Sequence, residues 1–302
     1  MRKEFSNIVE KVINENSSSV FITGDLGYNA LENVQKAAQG RFVNAGVAEQ
    51  NMIGVAAGIA YNGFEVFTYS IAPFTVYRCL EQIKLDVCLH DKPVYIVGNG
   101  GGYGYGIMGA THHAIEDIAC LSGLPNMTCW IPAFTEDVEY CIKNIRSAKK
   151  PAYLRLGLGK NYPSEIKISA INKIIAANNP KVTIVALGPI VHNALMAIAD
   201  RSDVEVFTVI KIPIIELSNE LLQSINTSMN VLVIEEHIER GGLGEHLLMQ
   251  LAKNSIQVSS YSSLNAKGYP SGTYGSQSFH QEESGLDVEG LRKEVEKLLE
   301  QY

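Results

Sequence analysis

Six short β-rich runs in the first half of the chain, at 20–23, 41–44, 65–69, 94–98, 127–131 and 152–156, alternate with helical patterns. This alternation constrains the fold more than any other feature, because strand-helix-strand units pack almost invariably as right-handed crossovers that leave the strands parallel. After Lys160-Asn161-Tyr162-Pro163 the chain turns polar, and Asn172, Asn178, Asn179 and Pro180 complete an expected linker over 166–180. A second α/β unit follows, with strands expected at 182–187, 204–209 and 231–235 and helices near 190–200, 217–226, 242–253 and 287–300. The expected class is α/β, two doubly wound domains at 1–165 and 181–302.

The hydrophobic fraction of 46% across 302 residues suffices for two cores. A formal charge of −7 without a basic run argues against a nucleic-acid surface and fits a soluble metabolic protein. Cys79, Cys88, Cys120, Cys129 and Cys141 form no CxxC or metal-type pairing, so they read as reduced thiols of a cytoplasmic protein. The N-terminal stretch is an amphipathic helix without an apolar signal core. The uncharged run 182–199 is broken by Gly188-Pro189 and His192-Asn193 into a strand and a helix, so no membrane span is expected.

The run RFVNAGVAEQNMIGVAAGIA at 41–60 carries the chemistry. Phe42 and Val43 end a strand, Gly46 makes the turn, and Gly54, Ala56, Ala57, Gly58 and Ala60 line a helix with small residues that admit close neighbours. Glu49 stands at the mouth of that helix, where the dipole favours an acid and tight packing removes it from solvent. An Ala-Glu-Gln string before an Ala/Gly-rich helix resembles the pyrimidine-binding domain of transketolases and 1-deoxyxylulose-5-phosphate synthases, which are thiamine diphosphate enzymes. The resemblance implies that Glu49 is the cofactor-activating glutamate. Its carboxylate would hold the aminopyrimidine ring as the imino tautomer, whose exocyclic nitrogen takes the proton from the thiazolium carbon. The nucleophile would then belong to the cofactor, and no Ser-His-Asp or Cys-His set is needed.

Further residues follow by the same resemblance. Asp25, after the first strand, would border the cofactor; taken alone it also suits a helix or turn cap. Ser70 to Lys84, SIAPFTVYRCLEQIK, matches a segment in which an aromatic ring stacks on the aminopyrimidine. Phe74 is the first choice for that ring and Tyr77 the second, while Arg78 and Gln82 match family positions beside them. The loop at 98–116 ends in Gly109-Ala110-Thr111-His112, which places His112 where the family histidine faces the reacting centre, with His113 where glutamine is usual. Its glycines lack the context of a mononucleotide loop.

The run EEHIERGGLGEHL at 235–247 resembles the family's C-terminal domain. No Gly-Asp-Gly occurs, so the pyrophosphate-binding domain that holds Mg²⁺ and the diphosphate is missing from the chain. The resemblance thus implies one half of a split enzyme, inactive alone, with an N-terminal transketolase-like subunit as partner and an α2β2 assembly.

Three positions depart from the family. Met108 stands for the aspartate that reads a sugar hydroxyl, Gly100 for a histidine or arginine on the donor side, and Leu158 for an arginine on the substrate phosphate. Arg155 and Lys160 remain as candidates for a phosphate, and His112 and His113 as substrate contacts. The expected reaction is two-carbon ketol transfer between sugars, with a modified, deoxy or carrier-linked sugar in place of the ordinary pentose phosphates. The alternatives are an acyl-transferring thiamine enzyme subunit and a non-catalytic α/β module that stabilises a partner.

Overall fold

The computed structural model describes residues 1–300. Seven strands form the first sheet: β1 (Ser19–Thr23), β2 (Phe42–Asn44), β3 (Glu65–Ile71), β4 (Val94–Asn99), β5 (Thr128–Trp130), β6 (Ala152–Leu156) and β10 (Lys211–Ile212). Their order is β10-β5-β6-β4-β3-β1-β2, and every pairing is parallel except the antiparallel one between β10 and β5. β1 and β6 are buried at every residue, as a parallel sheet covered on both faces requires. β10 comes from the second half of the chain, so the two units share this sheet as well as side-chain contacts.

A second sheet of five strands has the order β12-β11-β8-β9-β7, built from β7 (Ile171–Ile175), β8 (Val182–Leu187), β9 (Val204–Val209), β11 (Asn230–Glu235) and β12 (Ser260–Asn265). β7 runs antiparallel to β9 and lies within the stretch expected to be linker. Asn172 and Ile174 point into the protein while Ile171, Lys173 and Ile175 are half-buried, an edge-strand alternation hidden by the polar composition around it. β12 was also unanticipated. Its serine-rich sequence is half-buried throughout, and its pairing with β11 supplies the order that its side chains do not.

The helix Glu49–Tyr61 packs Met52, Ile53, Ala56, Ala57 and Ala60 into the core. Gly46, at φ +72°, turns the chain into it, and Gly63, at φ +90°, lets the chain leave for β3. Both conformations favour glycine. No helix among the described residues is long and apolar enough to cross a membrane. All five cysteines are free, four of them buried.

The first sheet's C-terminal edge meets the second unit. Arg155 Nη2 donates to the Glu236 carbonyl at 2.7 Å, the Tyr103 amide donates to Glu236 Oε1 at 2.6 Å, and the Ala119 amide donates to His237 Nε2 at 3.2 Å. The Tyr103 bond holds the glycine-rich loop after β4 to the second unit, and that loop borders the site.

Candidate active site

Glu49 is 1% exposed. Ser70 Oγ, from the end of β3, donates to its Oε1 at 3.1 Å, and Arg78 Nη1 donates to its Oε2 at 2.7 Å. Gly24, after β1, makes room for the acid: a Cβ there would stand 3.2 Å from Ser70 Oγ and 3.4 Å from Glu49 Cγ. The Arg78 side chain is 43% exposed, so the buried carboxylate is bridged to solvent by a single exposed side chain.

That guanidinium lies over the ring of Phe74, with Cζ 4.3 Å from its centroid. A row of rings leads on from there. His112 is 5.1 Å from Phe74 between centroids, and Tyr105 is 5.9 Å from His112. Thr111 Oγ1 lies 2.8 Å from His112 Nδ1, which leaves Nε2 without a partner among the described residues. Asn99 Nδ2 donates to the Tyr105 hydroxyl at 2.9 Å. Tyr105 owes its place to Gly100, at φ +75°, because a Cβ at 100 would come 2.2 Å from the ring.

The other candidates have different surroundings. Asp25, at φ +57°, directs its carboxylate to Asn44, whose Nδ2 donates to Oδ1 at 2.9 Å. It stands beside Gly24 without a contact to Glu49. Tyr77 donates from its hydroxyl to Glu116 Oε2 at 2.8 Å and accepts from the Glu116 amide at 3.1 Å, so it braces the loop while Phe74 forms the wall. Burial, helped by the charges of Asp117 and Glu116, pushes its phenol pKa far up.

His113 is 2% exposed, with Nε2 2.8 Å from the Gly106 carbonyl and Nδ1 2.9 Å from the Tyr269 hydroxyl. Burial pushes its pKa down, and neither ring nitrogen is left for a substrate. Arg155 is likewise engaged, with Nη1 3.1 Å from Asp117 Oδ1. Met108 and Leu158 are 53% and 78% exposed, and Lys160, two residues after Leu158, is also exposed, with its amide donating to His192 Nε2 at 3.2 Å.

The arrangement therefore joins Glu49, Ser70, Arg78, Phe74 and His112, and holds His113, Arg155 and Tyr77 in the scaffold. Ser70, Asn99 and Tyr105 were missed from sequence. Ser70 lies within the SIAPFTVYRCLEQIK string, which carries its signal, whereas Tyr105 becomes visible only through the space that Gly100 leaves.

Residues 1–161 match the family described as transketolase, pyrimidine binding domain, and residues 173–291 match transketolase, C-terminal domain. The chain is 29% identical over 268 residues to an apulose-4-phosphate transketolase subunit of Phocaeicola vulgatus, covering 85% of each chain. It is 27% identical over 284 residues to 1-deoxy-D-xylulose-5-phosphate synthase of Clostridium perfringens, covering 89% of this chain and 44% of that one. Among solved structures, a split gene transketolase in an inactive beta4 tetramer superposes with a TM-score of 0.83 at 28% identity, over 99% of this chain and 97% of that one. Transketolase from Leishmania mexicana shares the fold, with a TM-score of 0.78 at 16% identity over 100% of this chain and 45% of that one.

Proposed function

The chain belongs to the transketolase family, and on that premise we propose that it is the subunit supplying the pyrimidine-binding half of a thiamine diphosphate site. The observation that carries this reading is the way Arg78 sits. A flat group with N–H donors already stacks on Phe74 and donates to the Glu49 carboxylate, so acid and wall together fit a flat heterocycle with a hydrogen-bonding edge. Glu49 and Phe74 would hold the aminopyrimidine in the place the Arg78 guanidinium takes here, with Arg78, Asp25 and Tyr77 at the margin. When bound, thiamine diphosphate supplies the carbon nucleophile that cleaves a ketose beside its carbonyl and passes a two-carbon unit to an aldehyde.

The residues of this chain serve that chemistry in separate ways. Glu49 holds a proton against the ring nitrogen and so fixes the tautomer. Phe74 orients the ring and keeps water from one face. His112, with Nε2 free and Nδ1 beside Thr111, is placed to give or take a proton at a substrate oxygen. We assign the diphosphate and Mg²⁺ ligands to a partner subunit with the pyrophosphate-binding domain, in an α2β2 assembly in the cytoplasm. The proposed domains are 1–165 and 181–302.

The sugar is proposed to be non-standard, since Gly100, Met108 and Leu158 bring no polar group to the family's reader positions. A sugar of the kind named for the Phocaeicola vulgatus relative, apulose 4-phosphate, fits this description. Acyl transfer is a second reading, favoured by the likeness to 1-deoxy-D-xylulose-5-phosphate synthases over 89% of this chain. Co-expression with the partner decides the matter. The purified chain should show no ketol transfer by itself and should gain it, dependent on thiamine diphosphate and Mg²⁺, when the partner is added. Robust turnover without any second polypeptide would overturn the assignment.

A further inference from the structure

His112 is held by little within its own unit. Thr111 Oγ1 lies 2.8 Å from its Nδ1, and the rings of Phe74 and Tyr105 stand beside it. The backbone that carries it is rich in glycine, with Gly100, Gly102, Gly106 and Gly109 all at positive φ. Such a segment has many conformations open to it, so a single geometry has to be imposed by contacts.

The second unit supplies those contacts. A strap at 268–276, after β12, lies along the loop and is pinned at both ends. The Tyr103 hydroxyl donates to the Gly268 carbonyl at 3.0 Å, and the Gly275 amide donates to His280 Nε2 at 3.2 Å. The loop leaves room for the strap, since a Cβ at Gly109 would stand 2.6 Å from the Tyr274 ring and one at Gly106 would stand 3.3 Å from the Gly275 carbonyl oxygen.

Within the strap, Tyr269 reaches the residue next to His112. Its hydroxyl lies 2.9 Å from His113 Nδ1, and His113 Nε2 lies 2.8 Å from the Gly106 carbonyl. A carbonyl only accepts, so Nε2 carries the ring proton; burial favours the neutral ring, so Nδ1 accepts and the Tyr269 hydroxyl donates. The amides of His112 and His113 both donate to the Gly109 carbonyl, at 2.9 and 3.1 Å, so the two histidines share one turn of backbone. Fixing the His113 ring at both nitrogens therefore fixes where the His112 ring leaves the chain.

We propose that Tyr269 is a positioning residue, which through His113 holds the His112 imidazole toward the reacting centre. The second unit then takes part in the chemistry of a site built by the first. This deepens the transketolase-type reading and rests on it, because a fixed His112 matters through its proposed proton transfer.

Tyr269→Phe is the direct test, since it removes the donor and keeps the ring that packs against Tyr274 and His280. The assembly with its partner is assayed on the best donor in a ketose panel that includes xylulose 5-phosphate. The variant should lower kcat about tenfold and leave KM within about twofold, as expected when a proton-transfer group is misplaced and the binding groups are not. On a His112→Asn background it should cost nothing further, because its effect passes through that ring. His113→Gln keeps a donor and an acceptor and should stay near wild type, whereas His113→Leu should match Tyr269→Phe.

A second readout needs no turnover. Histidine side-chain nitrogen NMR on the full chain should show one set of His112 signals in the wild type, and shifted or multiple signals in Tyr269→Phe and His113→Leu. His112 signals that stay single and unshifted in both variants overturn the proposal whether or not the assembly is active. An active assembly whose kcat is unchanged by Tyr269→Phe, or whose loss persists in full on the His112→Asn background, overturns it as well. An assembly without ketol transfer counts against the functional reading, and the NMR comparison still judges the positioning.

Discussion

Glu49 and Glu235 are both buried carboxylates set against the start of a helix, one at the C-terminal edge of each sheet. Glu235 ends β11 and accepts from the Leu243 amide at 2.7 Å, the Gly244 amide at 3.0 Å and Asn265 Nδ2 at 3.0 Å. Gly242 has no side chain because a Cβ would lie 2.3 Å from Glu235 Oε2. Every partner of that acid is fixed, two by the backbone, and it serves to tie a helix to a strand. Glu49 is bonded instead to a serine hydroxyl and to an arginine whose side chain is 43% exposed. Burial at a helix mouth is thus shared between a structural acid and the one proposed to be catalytic. What separates them is whether a partner can be exchanged for a ligand.

Paired substitutions break this comparison most sharply. In the assembly with its partner, Glu49→Gln should cut turnover by ~10² to 10⁴-fold with the unfolding midpoint unchanged, because the amide cannot hold the proton that sets the tautomer. Glu235→Gln should do the reverse. It keeps turnover but faces an NH₂ toward a helix amide and costs stability by about 1–3 kcal/mol, the penalty of one buried unpaired donor. Turnover of Glu49→Gln within twofold of wild type would remove Glu49 from the mechanism.

A smaller effect is expected at the exposed end of the site. Met108→Asp and Leu158→Arg restore the missing readers at positions 53% and 78% exposed, where substitution disturbs little packing. The double variant should raise kcat/KM for xylulose 5-phosphate, which is expected to be a poor donor of the wild type, by about tenfold, the value of roughly one regained hydrogen bond to a charged group. The comparison is a donor panel of phosphorylated ketoses beside deoxy and carrier-linked sugars. If xylulose 5-phosphate is already the best donor of the wild type, the departures are neutral.

The same contrast explains what could be read from sequence. β8 and β9 fall on the expected bounds because they are buried at every residue and dominated by β-branched residues, which suit a strand covered on both faces. β7 and β12 were hidden because edge and serine-rich strands owe their order to a neighbour and carry little pattern of their own. Glu49, Phe74, Arg78 and His112 were legible through local strings. His113 and Arg155 matched such strings too, yet their hydrogen bonds to Gly106 and Asp117 show how far a motif can be satisfied inside the scaffold. Tyr269 carried no signal at all. Nothing in a run of Gly, Pro, Ser and Thr says that its first tyrosine will reach a histidine 156 positions earlier.

The smallest expected effect concerns the structural edge alone. His237 Nδ1 lies 3.8 Å from Glu235 Oε2, and the two groups titrate in opposite senses. Burial pushes the His237 pKa down to about 4 from an ordinary 6.5, so its neutral form contributes stability that is full above pH 6.5 and lost as pH falls toward 4. Burial pushes the Glu235 pKa up to about 7 from 4.5, so its protonated form contributes stability that is full below 4.5 and lost as pH rises through 7. Between pH 7.5 and 5.5 the two contributions offset each other in the wild type. Removing either should expose the other. On that acidification Glu235→Gln should lose about 1 kcal/mol of stability as His237 takes up its proton on unfolding, and His237→Gln should gain a similar amount as Glu235 is protonated in the folded state. Urea unfolding at the two pH values measures both slopes. Identical slopes in wild type and both variants would mean that neither group changes its proton affinity on folding, and the description of this edge as a fixed, purely structural counterpart to Glu49 would lose its electrostatic basis.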